Sequence, residues 1–357
     1  HLSIRRQRQM CIRDRDEAVR LIFVATITFG LAVVLTAILI RQLNKNNVMD
    51  IPNERSSHVN PTPRGGGVGI IISILVGWLL DRALTDALNL NEVIILAASV
   101  VLAFVCFIDD LRGISASLKL IFQIICILPG LLFLFETGGL FREWMAPEFD
   151  VVVTGIIWLW FINLFNFMDG IDGITGSQVM MIGFGIAVFS ATGIITEQVL
   201  GPSIVFLAAA LGFLVWNWSP AIVFLGDVGS IPLGYLIGWS LISIQTETTM
   251  PLNSLIIIAI LPGYYLADAS ITLGFRILKG NNPIEAHKDH FYQKAWQNGA
   301  SHASICQKIL LANSLSLIIA LVLVGSHPII ALIFSGIITS ILLSWMLIKK
   351  IDNPYRN

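Results

Sequence analysis

The sequence predicts an all-α polytopic membrane protein, with about eleven transmembrane helices in one bundle and a functional site at its cytoplasmic face. Three observations predict it. The 357 residues are 55% hydrophobic and only 13% charged, against roughly a quarter charged in soluble domains, and the mean hydropathy is +0.80. Apolar runs recur at the ~20-residue length that crosses a bilayer. Finally, acidic residues gather at the ends of those runs, although carboxylates near lipid are costly.

The runs fall at about 20–41, 66–84, 92–108, 117–135, 151–167, 174–195, 199–216, 229–246, 252–277, 305–325 and 328–348. With the loop after the first span inside, the cytoplasmic side holds Arg41, Lys45, Arg55, Arg64, Arg112, Lys119, Arg276, Lys279, Lys288, Lys294, Lys308, Lys349, Lys350 and Arg356. The opposite side keeps only Arg82 and Arg142. This is a strong positive-inside bias. It orients a multi-pass chain with the loop after the first span on the cytoplasmic side. Residues 1–20 carry six arginines on the wrong side of this topology. Residues 1–18 are therefore set apart as a non-native or disordered tail, 19–350 as a single transmembrane domain, and 351–357 as a cytoplasmic tail. The four cysteines form no CxxC pair, which argues against a zinc site or a disulfide framework. The net charge of −1 gives no reason to expect nucleic acid.

Four acidic clusters lie on the cytoplasmic side: Asp109-Asp110, Asp169 with Asp172, Asp227, and the loop from Glu285 to His290. Asp109 and Asp110 close the third span. Neighbours on a helix point about 100° apart, so one is expected to face the site and the other to cap the following turn. Asn166, Asp169 and Asp172 are spaced by three and would share one face if the helix ran on. Oxygen ligands without cysteine suit Mg²⁺, with Mn²⁺ as the alternative. Asp227 sits between two glycines at a span boundary, where its carboxylate can reach a metal. Asn217 and Phe224 offer an amide edge and a stacking face to a nucleobase. Upstream, Pro61-Thr-Pro-Arg64-Gly-Gly-Gly67 opens a helix whose backbone N–H groups suit an anion, and Arg55, Ser56, Ser57 and His58 add donors. Lys119 is placed to meet a lipid phosphate at headgroup level. His287 and His290, one helical turn apart, are expected to contact phosphate together with Lys288. Asp268, inside the ninth span, is either functional or paired with a neighbouring helix.

Two other chemistries fit poorly. Asp110 is followed by Leu111, Arg112, Gly113 and Ile114, which breaks the DDxxD of prenyl synthases. Ile174, Thr175 and Gly176 stand where a CDP-alcohol phosphotransferase would need Ala-Arg.

Taken in order, DIPNERSSH, PRGGG, IDD, NxxNxxDGIDG, FLGDVGS and HxDHxYQ resemble the polyprenyl-phosphate N-acetylhexosamine-1-phosphate transferases, the MraY/WecA family or glycosyltransferase family 4. The resemblance spans residues ~20–350, and the HKDHFYQ form is most similar to the WbpL-type, O-antigen-initiating branch. It implies a Mg²⁺-dependent transfer of HexNAc-1-phosphate from UDP-HexNAc to undecaprenyl phosphate, releasing UMP. The implied pathway is O-antigen, lipopolysaccharide or a related envelope glycan. By resemblance, Asp227 is the main metal ligand, with Asn166 and Asp169 beside it at the diphosphate. Asp172, Asn217 and Phe224 match uridine-holding positions. Asp109 with Asp110 matches an acidic pair acting on the lipid phosphate, and Lys119 matches a phosphate-contacting lysine. Arg64, Ser56 and His58 are assigned to substrate binding, and His287 and His290 to the catalytic set. The expected partners are undecaprenyl phosphate, UDP-N-acetylhexosamine and membrane lipids. The oligomeric state is left open, a homodimer being compatible. The alternatives are a peptidoglycan phospho-MurNAc-pentapeptide transferase and, from another class, a transporter or flippase. The last would need mid-bilayer polar groups and paired broken helices.

Overall fold

The computed structural model describes residues 2–52, 60–246, 248–281 and 287–349, with side chains from residue 15 onward. Ser56, His58 and Glu285 lie outside the described residues. Among the described residues there are thirteen α-helices: α1 Leu2–Lys45, α2 Gly67–Thr85, α3 Leu90–Arg112, α4 Ala116–Thr137, α5 Pro147–Phe167, α6 Ile174–Ala191, α7 Leu200–Asn217, α8 Asp227–Thr246, α9 Pro251–Ile260, α10 Gly263–Leu278, α11 Phe291–Gln297, α12 His302–Leu323 and α13 Pro328–Leu347. The only strands among the described residues are β1 (Met49–Asp50) and β2 (Thr62–Pro63), which pair antiparallel.

Ten of the helices are long and apolar enough to cross a membrane, and α9 with α10 form one further pair bent by 71°. If the bent pair is one span, the candidates among the described residues number the eleven expected, the ninth of them broken. Pro262 stands at the break and has no N–H to donate. The fully buried Gln178 of α6 donates to the Leu261 carbonyl there (3.1 Å) and itself accepts from Asn313 of α12 (2.9 Å). Such a partner is what broken backbone needs at membrane depth. The expected tail of residues 1–18 continues α1 from Leu2 onward, and Arg20 anchors that helix to the buried Asp81 of α2 (2.8 Å).

The centre of the bundle is α8, buried along nearly its whole length. Small residues allow this, because helices in lipid associate by close packing rather than by hydrophobic exclusion. A Cβ on Gly67 of α2 would stand 2.4 Å from the Gly229 Cα of α8, so the two helix starts cross backbone to backbone. On the other side, the Trp158 indole of α5 stacks on Tyr235 (4.9 Å) and donates to its carbonyl, while the Tyr235 hydroxyl donates to the Cys126 carbonyl of α4. These contacts hold the N-terminus of α8 where the C-terminus of α3 and the N-terminus of α4 meet it.

Candidate functional site

The β2–α2 connection places Arg64. Phe224 donates its N–H to the Pro63 carbonyl (2.8 Å), and Arg64 and Phe224 form a parallel bridge. The N–H groups of Gly65 and Gly66 donate to the Phe224 carbonyl, and that of Gly67 to the Leu225 carbonyl. The glycine donors expected to receive an anion are thus spent inside the chain. A short extended segment before α8 takes them, and only the Arg64 side chain turns to the site.

There Arg64 meets two carboxylates, through Nε to Asp110 (2.9 Å) and Nη2 to Asp227 (2.9 Å). Burial alone would lower the guanidinium pKa, but Asp110, Asp227 and Asp50 outweigh it and raise it. Lys119 joins Asp109 (2.7 Å) to the other oxygen of Asp227 (2.8 Å). It is an ion-paired centre of the site. The expected division between Asp109 and Asp110 takes a different form. Asp109 caps the turn after α3 through the Ile114 N–H (2.6 Å) and also pairs with Lys119. Asp110 caps another helix, accepting from the Asp227 and Val228 N–H groups at the start of α8. A carboxylate at a helix N-terminus is favoured both by the orphan donors and by the dipole.

Asn166 ties to Ser230, one turn into α8 from Asp227 (2.9 Å). The face expected to join Asn166, Asp169 and Asp172 does not form, because α5 ends at Phe167. The two aspartates diverge along the following loop. Asp169 accepts from Thr175 (2.7 Å), and burial pushes its carboxyl up to about 7, with Asp227 and Asp110 pushing the same way. Asp172 turns to α12 and the α7–α8 connection. Its Oδ2 meets His302 Nδ1 (3.1 Å) and the Ala221 N–H (3.2 Å). Burial raises the Asp172 pKa, but His302, the Ala221 N–H and the Ser219 side chain outweigh it and hold the carboxyl below the usual range. Asn217 accepts from the Gly173 N–H and donates to the Val223 carbonyl, so its amide is engaged within the chain.

The two histidines come together without a helix between them. Their rings stack at 4.9 Å in the turn before α11. The fully buried Asp268 of α10 organises that turn, with His290 Nδ1 and the Phe291 N–H on Oδ1, and the Tyr292 N–H and Tyr264 hydroxyl on Oδ2. This intramembrane acid is therefore the anchor of α11. Burial first, then the neighbouring His290 and Arg276, lower the His287 pKa to about 4. In the free site His287 therefore offers a neutral imidazole rather than charge. Tyr292 closes the assembly by donating to the Phe167 carbonyl (3.0 Å), and a Cβ on Gly170 would lie 2.1 Å from its hydroxyl. The glycine lets the histidine turn dock on the Asp169 loop.

The metal expectation fits in part. The donors gathered here are oxygens, as Mg²⁺ prefers, and Mg²⁺ commonly takes only one or two carboxylates beside water and substrate phosphate. Among the described residues, however, no three His, Cys, Asp or Glu side chains form a ready cage, and both Asp227 oxygens hold cations. Two contacts were not legible in the sequence. Asp172 and His302 lie 130 residues apart, and Arg64 and Asp227 lie 163 apart, and no local spacing signals either.

Fold and site together define a multi-pass membrane protein whose ion-paired aspartate cluster lies where several helix ends meet. Residues 92–245 match the model of the glycosyl transferase family 4. The chain is 29% identical over 321 residues to the probable undecaprenyl-phosphate N-acetylglucosaminyl 1-phosphate transferase of Bacillus subtilis, covering 86% of each. It is 27% identical over 299 residues to the undecaprenyl-phosphate alpha-N-acetylglucosaminyl 1-phosphate transferase of Escherichia coli K12, covering 79% of this chain and 78% of that one. The decaprenyl-phosphate N-acetylglucosaminephosphotransferase of Mycolicibacterium smegmatis is 27% identical over 288 residues, 70% of this chain and 69% of that one. The chain is thus similar to glycosyl transferase family 4 over residues 92–245, and along most of its length to proteins named as polyprenyl-phosphate N-acetylglucosamine 1-phosphate transferases.

Proposed function

We propose that the chain transfers an N-acetylhexosamine 1-phosphate from a UDP-sugar to undecaprenyl phosphate at the cytoplasmic face of a bacterial inner membrane. UMP is released, and the lipid-linked sugar starts an envelope glycan such as O-antigen. The names of the relatives support N-acetylglucosamine as the sugar. The observation that carries the reading is the Arg64–Asp227–Lys119–Asp109 cluster, in which two cations are held against carboxylates at a junction of helix ends. Two anionic substrates, one dissolved and one lipid, can meet only at such an interface.

An oxygen of the lipid phosphate attacks the β-phosphorus of the donor, and the bond from that phosphorus to the bridging oxygen breaks, leaving UMP. Catalysis in such a transfer is chiefly alignment and charge compensation. Arg64 and Lys119 exchange their carboxylate partners for phosphate oxygens, and the His287 and His290 rings add N–H donors. Asp227, with Asn166, would hold Mg²⁺ or Mn²⁺, which when bound offsets diphosphate charge. A phosphate monoester has its second pKa near ~6 and is mostly dianionic at neutral pH, so a general base is dispensable. Asp169, with its carboxyl pushed up to about 7, is suited to take the last proton. Asp109 and Asp110, tied to a cation and to backbone N–H groups, act as positioning groups at the lipid phosphate.

The test is UMP release by purified protein with Mg²⁺, undecaprenyl phosphate and a panel of UDP-sugars. Release dependent on both substrates, and lost with a chelator, supports the reading. No release with any sugar overturns it. A phosphorylated enzyme trapped with UDP-sugar alone would instead favour an aspartyl-phosphate intermediate.

A further inference from the structure

The pair between Asp172 and His302 lies apart from the ion cluster and is absent from the chemistry above. Asp172 stands in the loop after α5, and His302 is the first residue of α12. Their side chains are 11% and 10% exposed, and Nδ1 lies 3.1 Å from Oδ2. Among the described residues the imidazole's hydrogen-bonding neighbour is Asp172 alone, whose backbone N–H also lies 3.4 Å from Nδ1. Its other nitrogen, Nε2, is buried and has no hydrogen-bond partner among the described residues. Through hydrogen bonds the ring touches Asp172, and its centre lies 6.2 Å from that of the Trp296 ring of α11. The carboxylate in turn is gripped from three sides: by His302, by the Ala221 N–H and by the Ser219 side chain. A carboxylate has about four lone-pair positions. Three are filled by the protein, which fixes the direction of the fourth. The same loop is backed by Trp218 against Gly173 and by Asn217, which ties the Gly173 N–H to the Val223 carbonyl.

We infer that His302 is a positioning residue, orienting Asp172 so that its remaining lone pair accepts an N–H or O–H of the nucleoside of the donor. This rests on the reading of the chain as a UDP-sugar transferase, and it gives α12 a part in donor recognition. Asp172 is held as an acceptor-only group, so it selects a donor on the ligand. Loss of the imidazole leaves the carboxylate held only by the Ala221 N–H and the Ser219 side chain, and so less firmly oriented. The penalty then falls on nucleotide affinity rather than on the transfer step. Holding a side chain in its productive rotamer is the usual work of such a supporting contact.

The experiment measures steady-state kinetics and UDP affinity by calorimetry on the full-length protein in detergent. The variants are His302→Phe, which keeps a ring and removes the donor, and His302→Asn, whose amide places an N–H near the position of Nδ1. For His302→Phe the KM for the UDP-sugar and the Kd for UDP are expected to rise about ten- to hundredfold, the range for a hydrogen bond to a charged group. The kcat and the KM for undecaprenyl phosphate should stay near wild type, and His302→Asn should recover most of the loss. Unchanged nucleotide affinity in His302→Phe overturns the inference. So does a joint fall of kcat and both affinities that His302→Asn does not relieve. Should His302→Phe not fold, His302→Asn against His302→Gln decides, because Gln carries its amide one bond too far. Wild type that binds UDP without releasing UMP would overturn the transfer reading while UDP affinity still judged the clamp. Wild type that does neither overturns both.

Discussion

Asp227 has both carboxylate oxygens committed, one to Arg64 and one to Lys119, and the consequences of changing it follow from that. Asp227→Asn keeps the shape and removes the charge that holds two cations apart and would bind a metal. Turnover should fall by about a hundredfold or more, the scale seen when one preorganised electrostatic group is lost. The protein should remain monodisperse by gel filtration, and near-normal UMP release would remove Asp227 from the centre of the site. His287 gives a pH prediction. Its pKa is lowered to about 4 from 6.5, so between those values the unfolded chain binds the extra proton. Stability therefore rises with pH across this window and is lost on acidification. The apparent Tm in detergent should drop between pH 6.5 and 4, and less steeply in His287→Gln. Equal slopes would show that His287 is not held neutral. The acids themselves were legible in the sequence, because carboxylates beside long apolar runs demand a reason. Their partners were not. Lys119 reaches Asp227 across 108 residues, and only the packing of α3 and α4 against α8 brings the two together.

At the scale of elements, the broken span shows how far a hydropathy pattern reaches. Residues 252–277 satisfy the length and apolarity of a single helix, yet the chain bends by 71° between α9 and α10. Pro262 marks the place in the sequence, but the acceptance of a break depends on Gln178 and Asn313, which lie in α6 and α12. Gln178→Leu removes the donor to the Leu261 carbonyl and leaves Asn313 without its acceptor. It should cost about 1–3 kcal/mol for the buried groups left unpaired, read as a lower unfolding midpoint. An unchanged midpoint would mean that the break is satisfied by other groups. A similar dependence governs α11. It has seven residues, too few to be stable alone, and is held by the backbone N–H groups that donate to Asp268. Sequence spacing suggested a helical turn joining His287 and His290. The turn instead precedes the helix, because a buried acid on another element fixes where the helix starts.

For the whole molecule, the remaining question is which way the bundle faces. The described ends of the helices separate by chemistry. Arg64, Lys119 and their aspartates gather at one end. Elsewhere Arg82 is bound to Glu92 and to the Gln198 carbonyl, and Arg142 to the Thr246 carbonyl. Arginines placed outside by the charge bias are thus neutralised locally, whereas Arg41, Lys45, Arg112 and Lys279 fall at helix ends on the other side. Basic residues retained on the cytoplasmic side set orientation, and a donor made in the cytoplasm needs the ion cluster there. Cysteine labelling in intact cells tests this. Cys106, Cys126 and Cys306 are buried, so background reaction is low once Cys11 is replaced by Ser. A cysteine at the exposed Asn46 should resist an impermeant maleimide until the membrane is opened. One at the exposed Glu143 should react from outside at once. The reverse pattern would put the aspartate cluster on the side where no nucleotide sugar is supplied, and would overturn the cytoplasmic assignment together with the choice of donor.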